Sequence, residues 1–209
     1  MAASPGYLTK VKKGGTPTSF TGETFTNTSG NIWKIDDSTK QVFDRNGTFT
    51  FYDNGTPISA SEILYIDYLF GLVEFSVAKV GPITADGSYV PLAEIIGAKD
   101  YSITMDTTIL DKTDFSNVGY RDKTSGLFDS TVAISRWDDS SKAYKDILTN
   151  KESVFIEINP GQSNTFFRGW FLLESDNTSG DIDALEEEAL DFTLDGDGEY
   201  KSFSYRIIT

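Results

Sequence analysis

The sequence predicts a mainly β protein with one flanking α-helix and long loops. Three observations carry that expectation. Aromatic residues are abundant, with 15 Phe, 10 Tyr and 3 Trp in 209 residues. Thr, Val and Ile recur between Gly, Asn and Asp clusters, the composition of short strands joined by turns. Apolar residues alternate with period two far more often than they repeat at helical spacing.

The elements follow in order. Residues 1–19 begin Met1-Ala2-Ala3-Ser4-Pro5-Gly6 and contain Lys10, Lys12, Lys13 and Gly14-Gly15-Thr16-Pro17. They read as a basic, flexible N-terminal arm attached to a single domain over 20–209. Gln41–Asp44 and Thr48–Tyr52 flank Arg45-Asn46-Gly47, a hairpin signal. Asp53-Asn54-Gly55-Thr56-Pro57 is a second turn. Ile63–Tyr68 and Leu72–Val77 are joined by Leu69-Phe70-Gly71 as another hairpin. Its first strand places Leu64, Ile66 and Tyr68 on one face. Residues 98–107 and 129–137 are strands, and so is 154–159, with Val154, Ile156 and Ile158 opposite Phe155, Glu157 and Asn159. Residues 166–174 are apolar on both faces, as in a covered central strand. Lys142–Thr149 is the helix, its stripe Tyr144, Ile147 and Leu148 at i, i+3, i+4. Residues 182–190 have helical composition but alternate as a strand from about 186. Glu199–Ile208 is the last strand. Lys79–Pro91 and Leu110–Gly126 lack periodicity and read as long loops.

Composition excludes several functions. The chain has neither Cys nor His, so disulfides, thiolate nucleophiles, Cys/His zinc sites and imidazole bases are ruled out. Against 18 Lys and Arg stand 32 Asp and Glu, a formal charge of −14. That balance opposes electrostatic grip on nucleic acid or an anionic membrane. Residues 1–50 hold six bases and four acids, a net of +2, which leaves −16 for residues 51–209. No run approaches the ~18 apolar residues of a membrane helix, and no secretory signal opens the chain. The sequence therefore reads as soluble and retained in the cell that makes it. Asp195-Gly196-Asp197-Gly198-Glu199 resembles a calcium loop, but position 12 counted from Asp191 is Ser202 where the bidentate Glu belongs. A turn is the simpler reading. Carboxylate pairs are too numerous for any one to mark a glycosidase. Trp33, Trp137 and Trp170 leave a sugar-binding platform open, and with it a carbohydrate-binding β-sandwich as the alternative function.

Longer segments, taken in order, carry a resemblance. They are Phe20-Thr21-Gly22-Glu23, Gln41-Val42-Phe43-Asp44, Asp53-Asn54-Gly55-Thr56 and Ile66-Asp67-Tyr68-Leu69-Phe70-Gly71-Leu72-Val73-Glu74-Phe75. Gly97-Ala98-Lys99 follows, then Asp111 through Gly119-Tyr120-Arg121 to Ser125-Gly126-Leu127. Arg168-Gly169-Trp170-Phe171, Glu174-Ser175-Asp176, Ser179-Gly180-Asp181 and Leu194-Asp195-Gly196-Asp197 close the series. Over residues 20–205 the chain resembles bacteriophage tail tube, or major tail, proteins. The resemblance implies a β-sandwich or barrel-like subunit without catalytic residues or cofactors. It implies hexameric rings that stack into a tube and conduct DNA into the host. Implied partners are further copies of the chain, the tail tip or baseplate, the tape measure and the tail terminator. A sheath joins them only in a contractile tail. DNA passes without specific binding, and no membrane is engaged. The implied location is the virion tail, and the host cytoplasm during assembly.

Three sets of residues are expected to matter. Glu74, Glu157, Glu187 and Asp191, as outward-facing strand acids, are candidates for a lumen that repels phosphate. Asp114, Phe115, Tyr120 and Arg121 are candidates for contacts between subunits, and Lys10, Lys12 and Lys13 for contacts made by the arm.

Overall fold

A computed structural model describes residues 9–111, 123–138, 143–161, 165–180, 185–196 and 203–207. Its elements are strands, one α-helix and short 3-10 turns, so the mainly β expectation holds. The described residues fall into two compact units. One is drawn from 9–95, 155–169 and 203–207, and the other from 96–154 and 170–196.

The first unit opens with β1 (Lys10–Gly14), β2 (Thr18–Ser29), β3 (Ile32–Ile35), β4 (Thr50–Asp53) and β5 (Thr56–Pro57). It continues with β6 (Ile63–Asp67), β7 (Leu72–Phe75), β8 (Ile83–Tyr89) and β9 (Leu92–Glu94). Seven of these strands form a sheet in the order β5-β4-β8-β2-β3-β7-β6. Its core is aromatic: Phe20, Phe25, Trp33, Phe43, Phe51 and Phe75 are buried around Ile35, Val73, Ile83 and Ala85. Phe51 sits edge-on to Phe25 at 5.7 Å and to Phe75 at 5.9 Å, the geometry that aromatic quadrupoles favour.

The second unit holds β10 (Ala98–Asp111), β11 (Lys123–Trp137) and α1 (Ala143–Asn150), followed by β14 (Glu187–Leu194). β12 (Ser153–Asn159) and β13 (Thr165–Ser179) run from one unit into the other, and β15 (Phe203–Ile207) pairs with the start of β13.

Several expectations hold. Asn54 and Gly55 take positive φ, 51° and 76°, and turn β4 into β5 as an Asn-Gly hairpin does. The hairpin at 69–71 forms, its turn capped by the Asp67 carboxylate, which accepts from the Leu69 and Phe70 amides. Tyr144 is the buried residue of α1. Residues 187–194 are strand, as the alternation from 186 indicated.

Other expectations fail for identifiable reasons. Asn46-Gly47 does not join two paired strands. Phe43 bridges to Tyr89, and β4 pairs with β8, so a distant strand outcompetes the local turn. That distant strand lies inside 79–91, expected to be a loop. Ile83 and Ala85 are buried in β8 while Gly87 and Asp86 hide the pattern. Gly87 is required there, because a Cβ would lie 2.5 Å from the Phe49 ring. In β6 a register shift between Ile63 and Tyr65 breaks the alternation, leaving Leu64 exposed.

The arm also needs correction. Residues 10–14, placed in it by the sequence, form β1, paired with β12 on one side and β9 on the other. Gly14 makes the fit possible, since a Cβ there would meet Val90 Cγ1 at 2.7 Å. The strand reaches β12 because Lys12 Nζ donates to Glu157 at 2.9 Å. Likewise Thr18 and Ser19 already belong to β2. The expected loop 110–126 is strand at Leu110–Asp111 and from Lys123 onward, and its middle lies outside the described residues.

Candidate functional site

The second unit carries four antiparallel strands in the order β10-β11-β14-β13, one end of an eight-stranded sheet whose order continues through β12, β1 and β9. Residues directly opposite in an antiparallel ladder share a face, so the register assigns every side chain to one of two faces.

One face is closed. Val132, Ile134 and Arg136 of β11 lie opposite Phe192, Leu190 and Glu188 of β14, and all six are buried. Arg136 Nε donates to Glu188, Arg136 Nη1 donates to the Ile96 carbonyl at 3.3 Å, and the guanidinium lies 4.9 Å from the Tyr144 ring. Removal from water, the leading cause, pushes the Glu188 carboxyl above its ordinary 4.5. Arg136 opposes that shift, while Asp176 and Asp138 add to it.

The other face is open and built mostly from short side chains, with Trp137 and Leu172 the large exceptions. β10 contributes Asp100, Ser102, Thr104 and Asp106. Opposite them in β11 stand Ser135, Ala133, Thr131 and Asp129. β14 adds Glu187, Ala189, Asp191 and Thr193. Ser175, Asn177 and Ser179 of β13 complete it, aligned with Asp191, Ala189 and Glu187. Its acids are therefore Asp100, Asp106, Asp129, Glu187 and Asp191. Lys99 reaches Glu187 and lies 4.3 Å over the Trp137 ring, so its charge is already engaged. Asp106 stands directly opposite Asp129, a like-charged pair that a face selected for stability alone would avoid.

Among the described residues these four strands have a free edge at β10 and, beyond the reach of β12, another along part of β13. β10 ends the strand order, with β11 on one side only. β12 begins at Ser153 and joins β13 through residues 160–164, so laid back along β13 it reaches only about residue 171. Residues 175–179 then pair with β14, and Glu174 lies in the register shift that precedes them. Beside that edge, both carboxylate oxygens of Asp176 are buried without a hydrogen-bond partner. The outer part of the β10–β11 hairpin exposes Met105, Ile109, Leu110, Leu127 and Phe128.

Of the residues expected to line a lumen, Glu187 and Asp191 share the open face, where Asp191 accepts from the Ser175 hydroxyl at 2.8 Å. Glu157 does not qualify. It is 1% exposed in the first unit, where it accepts from Lys12 and, at 2.7 Å, from Arg168 Nε. β12 is covered on both faces, so the alternation of its sequence did not mark a solvent side. Glu74 lies in β7 of the first unit, half-buried, opposite Ile32 and Tyr65. Lys10, Lys12 and Lys13 sit in β1. Asp114, Phe115, Tyr120 and Arg121 lie outside the described residues. Trp33 and Trp170 are buried, so they form no sugar platform with Trp137. The sequence reading missed Asp100, Asp106 and Asp129. The alternation of 98–107 and 129–137 held the signal, because Asp100 and Asp106 keep the same parity as Ser102 and Thr104.

Among the described residues no group of three or more Asp, Glu, His or Cys has metal-binding geometry. No helix among them is long and apolar enough to cross a membrane.

No protein-family model matches the chain, and no curated protein matches it. Solved structures do. The chain is similar to one from the tail of an empty gene transfer agent particle with C6 symmetry, at 15% identity and a TM-score of 0.47, covering 55% of this chain and 86% of that one. It is also similar to a chain of the virion of a native gene transfer agent particle, at 15% identity and a TM-score of 0.46, covering 55% and 88%.

Proposed function

We propose that this chain is a structural, non-enzymatic subunit of a phage-like tail tube, and that it takes part in rings that stack and conduct DNA. The observation that carries the reading is the open face of the second unit, bounded by the free β10 edge and by the part of β13 beyond the reach of β12. A strand ladder with both edges open is an aggregation hazard unless another chain covers it. In this sheet β10 runs antiparallel to β13, because each neighbour in the order β10-β11-β14-β13 reverses direction. The β10 edge of one copy laid beside residues 174–179 of the next therefore continues the antiparallel alternation. A head-to-tail contact between two different edges closes a ring when its rotation closes, and a closed barrel has no edges left. Six copies per ring is what the sequence resemblance implies.

The open face then becomes the lining. Most of its side chains are short, which keeps the bore smooth, and its acids, which outnumber Lys99, repel phosphate. Lys or Arg in the same positions would bind DNA and stall it. DNA is thus a passenger, and the charge keeps it moving. The exposed apolar residues at the end of the β10–β11 hairpin suit burial against a further copy.

Electron microscopy of the purified chain at rising concentration tests the reading. Rings or tubes are the expected result, and monomers at every concentration would overturn it. Deletion of residues 2–8 leaves β1 intact and is the clean test of whether the N-terminal segment serves stacking. Deletion of 2–15 removes β1 and with it the Lys12 partner of Glu157, so it reports on folding instead.

A further inference from the structure

We infer that Asp100 and Asp106 bar the β10 edge from pairing with the same edge of a second copy, reserving it for a different edge. The inference rests on the ring reading above, and it concerns a competing dimer that the reading does not address. A free edge strand can always pair with itself about a two-fold axis. For β10 the antiparallel alignment that best matches apolar residues places Ile103 opposite Ile103 and Met105 opposite Tyr101. These three residues share the face away from the acids, as the β11 register shows. No register shift interrupts β10 between Asp100 and Thr107, so the alignment can be read residue by residue.

In that same alignment Asp106 of each copy falls opposite Asp100 of the other, and Thr104 opposite Ser102. Two carboxylate pairs then stand about 5 Å apart, on the same exposed side. Lys99 brings no relief, since it is engaged by Glu187 and Trp137. The edge offered by β13 is different. Its open-face residues are Ser175, Asn177 and Ser179, which are neutral; Ser175 already donates to Asp191, and Asn177 and Ser179 keep donors for Asp100 and Asp106. The charges on β10 thus penalise the two-fold dimer, a dead end for ring growth, more than the head-to-tail contact, where Asp100 and Asp106 meet neutral open-face residues.

The absence of Cys makes the test clean. An Ile103→Cys chain reports the two-fold alignment as a disulfide-linked dimer under mild oxidation. In the otherwise unchanged sequence little dimer is expected. Asp100→Asn with Asp106→Asn should raise it at least tenfold, and added salt should raise it in the unchanged sequence but not in the double variant. Asp100→Lys alone places Lys opposite Asp106 twice and should raise it further. Asp100→Lys with Asp106→Lys restores like charges and should suppress it again. Circular dichroism checks that each variant is folded; the Asp100 and Asp106 substitutions lie on the exposed face, and the half-buried Ile103→Cys is common to all of them. Folded variants whose dimer fraction ignores these changes would overturn the inference, and the ring reading would stand or fall separately on whether the unchanged chain forms rings.

Discussion

The two units use their strands in opposite ways. The first unit buries both the aromatic face of its seven-stranded sheet and both faces of β12. One end of that sheet is β5, two residues long and closed by Pro57, which lacks an edge N–H. The second unit spends longer strands, 14 and 15 residues in β10 and β11, on a surface that stays exposed over most of β10. The first is a self-sufficient core. The second ends in β10, a strand with a neighbour on one side only among the described residues.

Substitutions should expose that contrast. Phe51 is fully buried among Phe25, Phe49 and Phe75, and Phe51→Ala should cost about 3–5 kcal/mol in urea unfolding. If the cost falls below about 1 kcal/mol, the aromatic cluster is not the core of that unit. Glu157→Ala strands Arg168, which is 5% exposed and otherwise donates to the Leu69 carbonyl at 2.9 Å. A loss of about 3 kcal/mol or more is expected, and Glu157→Leu with Arg168→Met should recover much of it. A double variant no more stable than the single one would show that the pair organises the site beyond balancing charge.

The second unit should respond more weakly. Asp129→Asn removes a like charge opposite Asp106 and should stabilise the hairpin by about 0.2–1 kcal/mol. Destabilisation would mean that the two carboxylates share a proton or a counter-ion. The smallest effect concerns pH. The Glu188 carboxyl is held above its ordinary value, so the folded chain keeps this proton more tightly than the unfolded chain does. The group therefore favours folding below about pH 4.5, and that contribution disappears as pH rises through the raised value. Thermal melts of Glu188→Gln should lack this slope; an identical pH profile would assign the slope to other carboxylates.

Much of the fold was legible where local pattern and final pairing agree. Asp53–Thr56 turns where its Asn-Gly says it should, and residues 63–75 fold back on themselves as read. Legibility ended where a distant strand decided the outcome. Nothing near Asn46-Gly47 announces that β8 will take both Phe43 and β4. Nor does Val154–Asn159 reveal that its polar side meets Lys12 and Arg168 instead of water. Two members of the candidate lining, Glu187 and Asp191, could be named from alternation. Asp100, Asp106 and Asp129 emerged only from the ladder, because a strand's parity says which residues share a face and never which face is wet.

The Lys12–Glu157 contact has a consequence in time. Its two residues are 145 positions apart. At ~5–20 residues per second, a ribosome needs about 7 to 30 s between making one and making the other. Throughout that interval β1 can pair with β9 but not with β12, so one of its two edges and the Lys12 ammonium wait for the later strand. The aromatic core over residues 20–85 can close early, while burial of Glu157 against Lys12 and Arg168 waits until most of the chain has emerged.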